Sequence, residues 1–317
     1  MKYVIIGNSI AGVSAAKIII RRHDKSGGIT IITKEPHLFY SKCLLPYYLR
    51  NEVGFDDTIL ADENFYKDNN ISLIKGRAAT KVLTDKNKLL LDNNQEILYD
   101  KLLIATGASP IQIGSGPNIF SLRSFEDVEK IKAAAIKYKK AVVVGAGPMG
   151  MKVAYGLKGL GCNITVLEAG KQVFTRILSK RAAFVLTKHL MNKGIEIKTN
   201  SRFISYDGRY VQADGASPIE ADFVVMAIGI KPNTGFLKES GVKINTGVIV
   251  DSHMRTNIDN IYAAGDTAEA FDPVAKKYTI NATWPSAVLE GETAGFNMAG
   301  IETQIKGNVS SNSIQFF

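Results

Sequence analysis

With 317 residues, 45% of them apolar and 22% charged, the chain has an ordinary globular composition and enough length for two domains. Its longest apolar runs, such as Ile18 to Ile20 and Phe223 to Ile228, are too short to cross a bilayer, and a strand already opens at Lys2, so the expected setting is the cytoplasm, with no signal peptide. Two cysteines, Cys43 and Cys162, argue against a disulfide scaffold. The four histidines (His23, His37, His189, His253) are scattered without metal-ligand spacing. The net charge of +9 comes without a basic run or nucleic-acid motif; it suits a solvated Lys-rich surface and permits a small acidic partner.

The first element is the short apolar strand Lys2 to Ile6, which runs into Gly7-Asn8-Ser9-Ile10-Ala11-Gly12 and then a helical run, Val13 to Arg22. A second strand, Ile29 to Thr33, ends near Lys34-Glu35. This is a βαβ unit carrying a dinucleotide fingerprint. Gly7 allows the tight turn off the strand, the middle position lets backbone approach a pyrophosphate, and Gly12 lets the helix pack on the sheet. The free N–H groups and positive dipole end at the helix start suit phosphates. Two features depart from the usual pattern: Ser9 stands where a glycine is usual, and Glu35 lies further on than the usual ~20 residues.

Further along, Cys43 lies in Phe39-Tyr40-Ser41-Lys42-Cys43-Leu44-Leu45-Pro46-Tyr47-Tyr48. The segment Tyr99 to Ala108 reads as a strand ending in an Ala-Thr-Gly turn, and Pro110 to Pro117 as a linker. The fingerprint then returns. Strand Ala141 to Val144 leads into Gly145-Ala146-Gly147-Pro148-Met149-Gly150, helix Met151 to Leu160 follows, and strand Asn163 to Leu167 ends in Glu168. Here the spacing to the acid fits the pattern. A carboxylate at Glu168 would accept from an adenosine ribose and repel a 2′-phosphate, which favours NADH over NADPH; Lys171 and Arg176 would soften that preference. Strand Phe223 to Met226 ends in Ala227-Ile228-Gly229-Ile230-Lys231-Pro232-Asn233. Asn260 to Ala264 runs into Gly265-Asp266, and Thr283-Trp284-Pro285 precedes the helical run Ser286 to Met298.

Two fingerprints in one chain suggest one tightly held flavin and one exchanging nicotinamide. With the Ala-Thr-Gly, Gly-Ile-Lys-Pro-Asn and Gly-Asp segments, they resemble the pyridine nucleotide-disulphide oxidoreductase family over Met1 to about Gly300. The likeness is to its single-cysteine and cysteine-free branches: NADH oxidases, coenzyme A disulphide reductases, rubredoxin reductases and nitrite reductase flavin parts. The resemblance implies an α/β fold with two Rossmann-like domains and FAD and NADH as cofactors. It implies that Gly7, Ser9, Gly12, Glu35, Lys42, Ala79, Thr106, Gly107, Gly265, Asp266 and Trp284 serve FAD, and Gly145, Gly147, Met149, Gly150, Glu168 and Gly229 serve NADH. In the family, the helix after Trp284 points its positive end at the flavin pyrimidine edge.

The implied domains are 1–108 and 237–306 for FAD, 109–236 for NADH, and 307–317 as the opening of a third, interface domain that is otherwise missing, which leaves the oligomeric state open. Cys43 resembles the redox cysteine of coenzyme A disulphide reductases, with Lys42 and the following helix start favouring thiolate. The preceding Tyr-Ser-Lys instead resembles rubredoxin reductases, in which proline takes that place, so relay and bystander roles both stand. Cys162 reads as structural. The expected function is NADH:acceptor oxidoreduction toward oxygen, a small disulphide or a small electron-carrier protein, with no nucleic-acid or membrane partner. A non-enzymatic redox sensor and a fragment of a larger reductase are the alternatives.

Overall fold

The computed structural model describes residues 1–22, 28–175, 177–307 and 313–315. His23, Arg176, and residues 308–312 and 316–317 of the expected third-domain opening lie outside the described residues. The chain forms two compact units. The first comprises Met1–Ser41, Ile59–Ser109 and Lys231–Ser313, and the second Lys42–Thr58, Pro110–Ile230 and Ile314–Phe317.

The first unit is built on a five-stranded parallel sheet in the order Ile261–Ala263, Lys101–Ile104, Lys2–Ile6, Gly28–Thr33, Ile71–Lys75. Its central strands are continuous β-branched and Leu runs because both faces are covered: Ile5, Ile31, Leu102, Leu103 and Ile104 are fully buried. Helix Ile10–Arg22 packs against helix Trp284–Met298 across small residues. A side chain at Gly291 would overlap the carbonyl of Ala11, and a Cβ at Gly295 would lie 2.7 Å from the Ala15 carbonyl oxygen. The two backbones therefore approach in a way that larger residues would prevent. An antiparallel sheet of Ala79–Leu83, Lys88–Leu91 and Glu96–Leu98 adds to this unit.

The second unit repeats the plan. Its parallel sheet runs in the order Ile119–Ser121, Phe223–Met226, Lys140–Val144, Asn163–Leu167, Ile195–Lys198. As in the first unit, the strand entering the glycine loop lies between the strand that follows its helix and the strand that ends in a second glycine turn. Helix Phe125–Lys137 begins at a capping box, in which the Ser124 side chain accepts from Asp127 N–H and the Asp127 carboxylate accepts from Ser124 N–H at 2.9 Å. The segment Lys42–Thr58 belongs to this unit, a grouping that sequence spacing did not raise. Its short helix Leu45–Leu49 is tied to helix Pro148–Gly159 by Lys152 Nζ donating to Tyr47 Oη and by Arg50 donating to the Tyr155 carbonyl at 3.3 Å. No helix among the described residues is long and apolar enough to cross a membrane.

Candidate dinucleotide sites

In the first loop the backbone of Gly7 has φ +128°, and a Cβ there would overlap the Ala105 carbonyl. A Cβ at Gly12 would overlap the carbonyl of Gly7 itself, so both glycines are required for the strand, loop and helix to close up. Ser9 is half-buried, and its carbonyl accepts from Val13 N–H at 2.9 Å in the first helical turn. Helix Ile10–Arg22 has no acidic residue in its first turn and ends in Arg21 and Arg22, which leaves its positive end uncompensated. Glu35 follows strand Gly28–Thr33, where its carboxylate accepts from Tyr40 Oη. Asn8, between the two loop positions, accepts from Tyr66 Oη at 2.8 Å. Burial pushes the Tyr66 phenol up, which keeps it a proton donor, and Tyr66 in turn accepts from Phe39 N–H at 3.3 Å.

Two turns of the same unit close on each other. Thr106 Oγ1 donates to the Asn233 carbonyl at 2.8 Å and lies 3.2 Å from Thr267 Oγ1. The Asn233 side-chain amide donates back to the Thr106 carbonyl at 2.9 Å, and Asn233 N–H donates to the Gly107 carbonyl at 3.0 Å. Thr106, Gly107, Asn233 and Thr267, the residue after the Gly265-Asp266 pair, therefore form one hydrogen-bonded group. Trp284, at the start of its helix, stacks on Phe39 with ring centroids 6.2 Å apart. Ala79 opens the antiparallel sheet and is half-buried.

The second loop has the same frame. Gly145 has φ +106°, a Cβ there would overlap the Ala227 carbonyl, and one at Gly150 would overlap the Gly145 carbonyl. Gly147 caps helix Pro148–Gly159, and an added Cβ would meet nothing within 4 Å. The backbone of Gly147 is thus bare toward open space, the condition for close approach of a phosphate. That helix also lacks an acidic residue in its first turn. The Glu168 carboxylate accepts from Ala146 N–H at 2.9 Å and from Gly170 N–H at 2.7 Å. Met149 is 39% exposed. Gly229 in the opposite turn has φ +124°, a Cβ there would lie 3.6 Å from Ile111 Cδ1, and its carbonyl accepts from Ile111 N–H at 3.0 Å.

Residues 1–291 match the family model described as pyridine nucleotide-disulphide oxidoreductase. The chain belongs to this family. It is 34% identical to an NADH oxidase of Methanocaldococcus jannaschii, over 96% of this chain and 71% of that protein. It is 31% identical to an NADH-rubredoxin oxidoreductase of Clostridium acetobutylicum, over 94% and 75%. Among solved structures, an NAD-dependent persulfide reductase from A. fulgidus superposes with a TM-score of 0.95 at 30% identity; this chain is covered completely and spans 62% of that chain. As a member of the pyridine nucleotide-disulphide oxidoreductases, the protein is an FAD-dependent enzyme that uses NADH.

The residues present fit the family's two dinucleotides: each loop offers a helix start free of acids, and a carboxylate follows each second strand. In this pyridine nucleotide-disulphide oxidoreductase Cys43 is exposed on the 3₁₀ turn Lys42–Leu44, just before helix Leu45–Leu49, and belongs to the second unit with half-buried Lys42. Cys162 is buried, and that burial pushes its thiol up. Among the described residues, no group of three metal-ligating side chains is found. Sequence reasoning did not raise Tyr66 or Glu290, and it gave no site role to Tyr40 or Asn233, although both fell in segments it singled out. The signals were the Tyr-Ser-Lys segment for Tyr40 and the Gly-Ile-Lys-Pro-Asn turn for Asn233.

Proposed function

We propose that the first loop holds FAD and the second holds NADH, and that the electrons leave to a small electron-carrier protein. The observation that carries this reading is the pair of glycine loops, each closed by its own backbone and each followed by a carboxylate. Bound FAD would supply a ring that takes a hydride and releases electrons. Around it, Gly7, Ser9, Gly12 and the helix start would neutralise the pyrophosphate. Glu35 would accept from the adenosine ribose, oriented by Tyr40. Ala79, Thr106, Gly107, Gly265, Asp266 and Trp284 would line the remainder. For NADH, Gly145, Gly147, Met149 and Gly150 would cradle the pyrophosphate, Glu168 would exchange its Ala146 and Gly170 N–H partners for ribose hydroxyls, and Gly229 would close the opposite side. A carboxylate at Glu168 repels a 2′-phosphate, so NADH is favoured over NADPH.

A carrier of acidic surface suits a chain of net charge +9. The test is anaerobic titration with NADH, followed by reoxidation with a rubredoxin-type carrier, a low-molecular-weight disulphide or persulphide, and oxygen. The expected result is rapid bleaching of the flavin absorbance by NADH. Reoxidation should be fastest with the carrier and slow as salt is raised. A protein that is colourless and cannot be reconstituted with FAD defeats the reading. The exposed Cys43 beside Lys42 favours a second reading, a thiol relay to sulphur acceptors. Sulphur-acceptor turnover that dominates in the parent and vanishes in Cys43→Ser would select it, whereas unchanged carrier turnover in that variant keeps the first.

A further inference from the structure

Glu290 lies on helix Trp284–Met298 and is only 1% exposed. A carboxylate at that depth is costly unless hydrogen bonds compensate it. One compensating bond is specific: Gly265 N–H donates to Glu290 Oε2 at 2.7 Å, between a buried donor and a buried acceptor. The other main-chain group of Gly265 is also engaged, its carbonyl accepting from Ala268 N–H at 2.8 Å. The turn Gly265 to Ala268 is therefore stapled at its base from both sides. Its tip carries Asp266, and Thr267, fully buried, reaches Thr106 Oγ1 at 3.2 Å.

The helix bearing Glu290 has little freedom to follow a displaced turn. Gly291, the next residue, sits against the Ala11 carbonyl, inside the first glycine loop and helix, and a Cβ at Gly265 would come 3.0 Å from Ala11 Cβ. First loop, Gly-Asp turn and final helix thus meet at one point, where Glu290 supplies the hydrogen-bond acceptor. We infer that Glu290 is a positioning residue for the cofactor, holding the Gly265-Asp266 turn against the first glycine loop through the Gly265 N–H. This rests on the assignment of FAD to the first loop. The role belongs to the acceptor oxygen, which a glutamine at the same place would also offer.

The test uses the full chain stripped of FAD, in the parent and in Glu290→Gln, Glu290→Leu and Glu290→Asp. Flavin fluorescence quenching gives the FAD dissociation constant, and hydrogen–deuterium exchange gives the protection of residues 264–268. Glu290→Leu should weaken FAD binding by about tenfold or more and lose protection at the turn, because a buried N–H is left without an acceptor. Glu290→Gln should stay within about threefold of the parent and keep the protection. If Glu290→Leu does not fold, Glu290→Asp, which withdraws the acceptor by one methylene, should show the same loss in weaker form. A leucine variant that binds FAD as the parent does overturns the inference. So does a glutamine variant as impaired as the leucine one, and, where leucine does not fold, an aspartate variant that matches the parent. A parent chain that binds no FAD at all instead overturns the assignment of the first loop.

Discussion

The two glycine loops are built on one frame yet finish differently. In both, the first glycine takes a positive φ under a facing carbonyl (Ala105 or Ala227), and the last sits on the carbonyl of the first. The middle differs, with Ser9 in one and bare Gly147 in the other. So does the acid. Glu35 accepts from the side-chain hydroxyl of Tyr40, whereas Glu168 accepts from the N–H groups of Ala146 and Gly170. The first loop is also sealed from behind by a second helix and a buried carboxylate. The second presents a proline-led helix start with exposed Met149. What varies between two copies of one fold is how much structure stands behind the loop, and that suits one retained ligand and one exchanging ligand.

The comparison breaks most sharply at its shared glycines. Gly7→Ala places a Cβ on the Ala105 carbonyl at a left-handed backbone, a cost of about 3 kcal/mol or more, and should be visible as a large fall in Tm and loss of bound FAD. Gly145→Ala, equally blocked by Ala227, should leave FAD content at the parent level while raising KM for NADH by about tenfold. Equal loss of FAD in both variants would end the division of labour. Next in size, Glu168→Ser removes the charge that opposes a 2′-phosphate, and the ratio of kcat/KM for NADPH to that for NADH should rise by about tenfold. Smaller again, Tyr40→Phe takes away the hydroxyl that orients Glu35 and should weaken FAD binding by roughly three- to tenfold, with NADH kinetics unchanged.

The smallest effect concerns the cysteines. Cys162 is buried and its thiol is pushed up, so a thiol reagent should titrate one cysteine, Cys43, in the folded protein, and both only after unfolding. The sign follows from proton binding: above the ordinary thiol range the unfolded chain loses the Cys162 proton first, so stability falls as pH rises there. A Cys162→Ala variant should lose that increment of alkaline sensitivity, read as Tm against pH.

The loops were legible because glycine spacing is a backbone requirement that sequence states directly, and each acid ends a strand recognisable by its own apolar run. The paired sheets followed, since Val142 to Val144 and Ile5 to Ile6 admit little except buried parallel strands. The supports behind the loops were not legible. Tyr66 reaches Asn8 across 58 positions, and Glu290 looks like any polar residue of an amphipathic helix until its burial is seen. The membership of Lys42–Thr58 in the second unit was hidden for the same reason: Tyr47 and Lys152 meet through tertiary packing, which leaves no periodic trace.

Helix Ile10–Arg22 has its packing partner at Trp284–Met298, so a ribosome releases the first half of that pair long before the second. The second sheet, by contrast, is drawn entirely from the contiguous stretch Pro110–Ile230 and can condense while synthesis continues. The small-residue face around Ala11 and Ala15 therefore waits for its cover until the last helix is made, a long-range contact of the kind that forms late in folding.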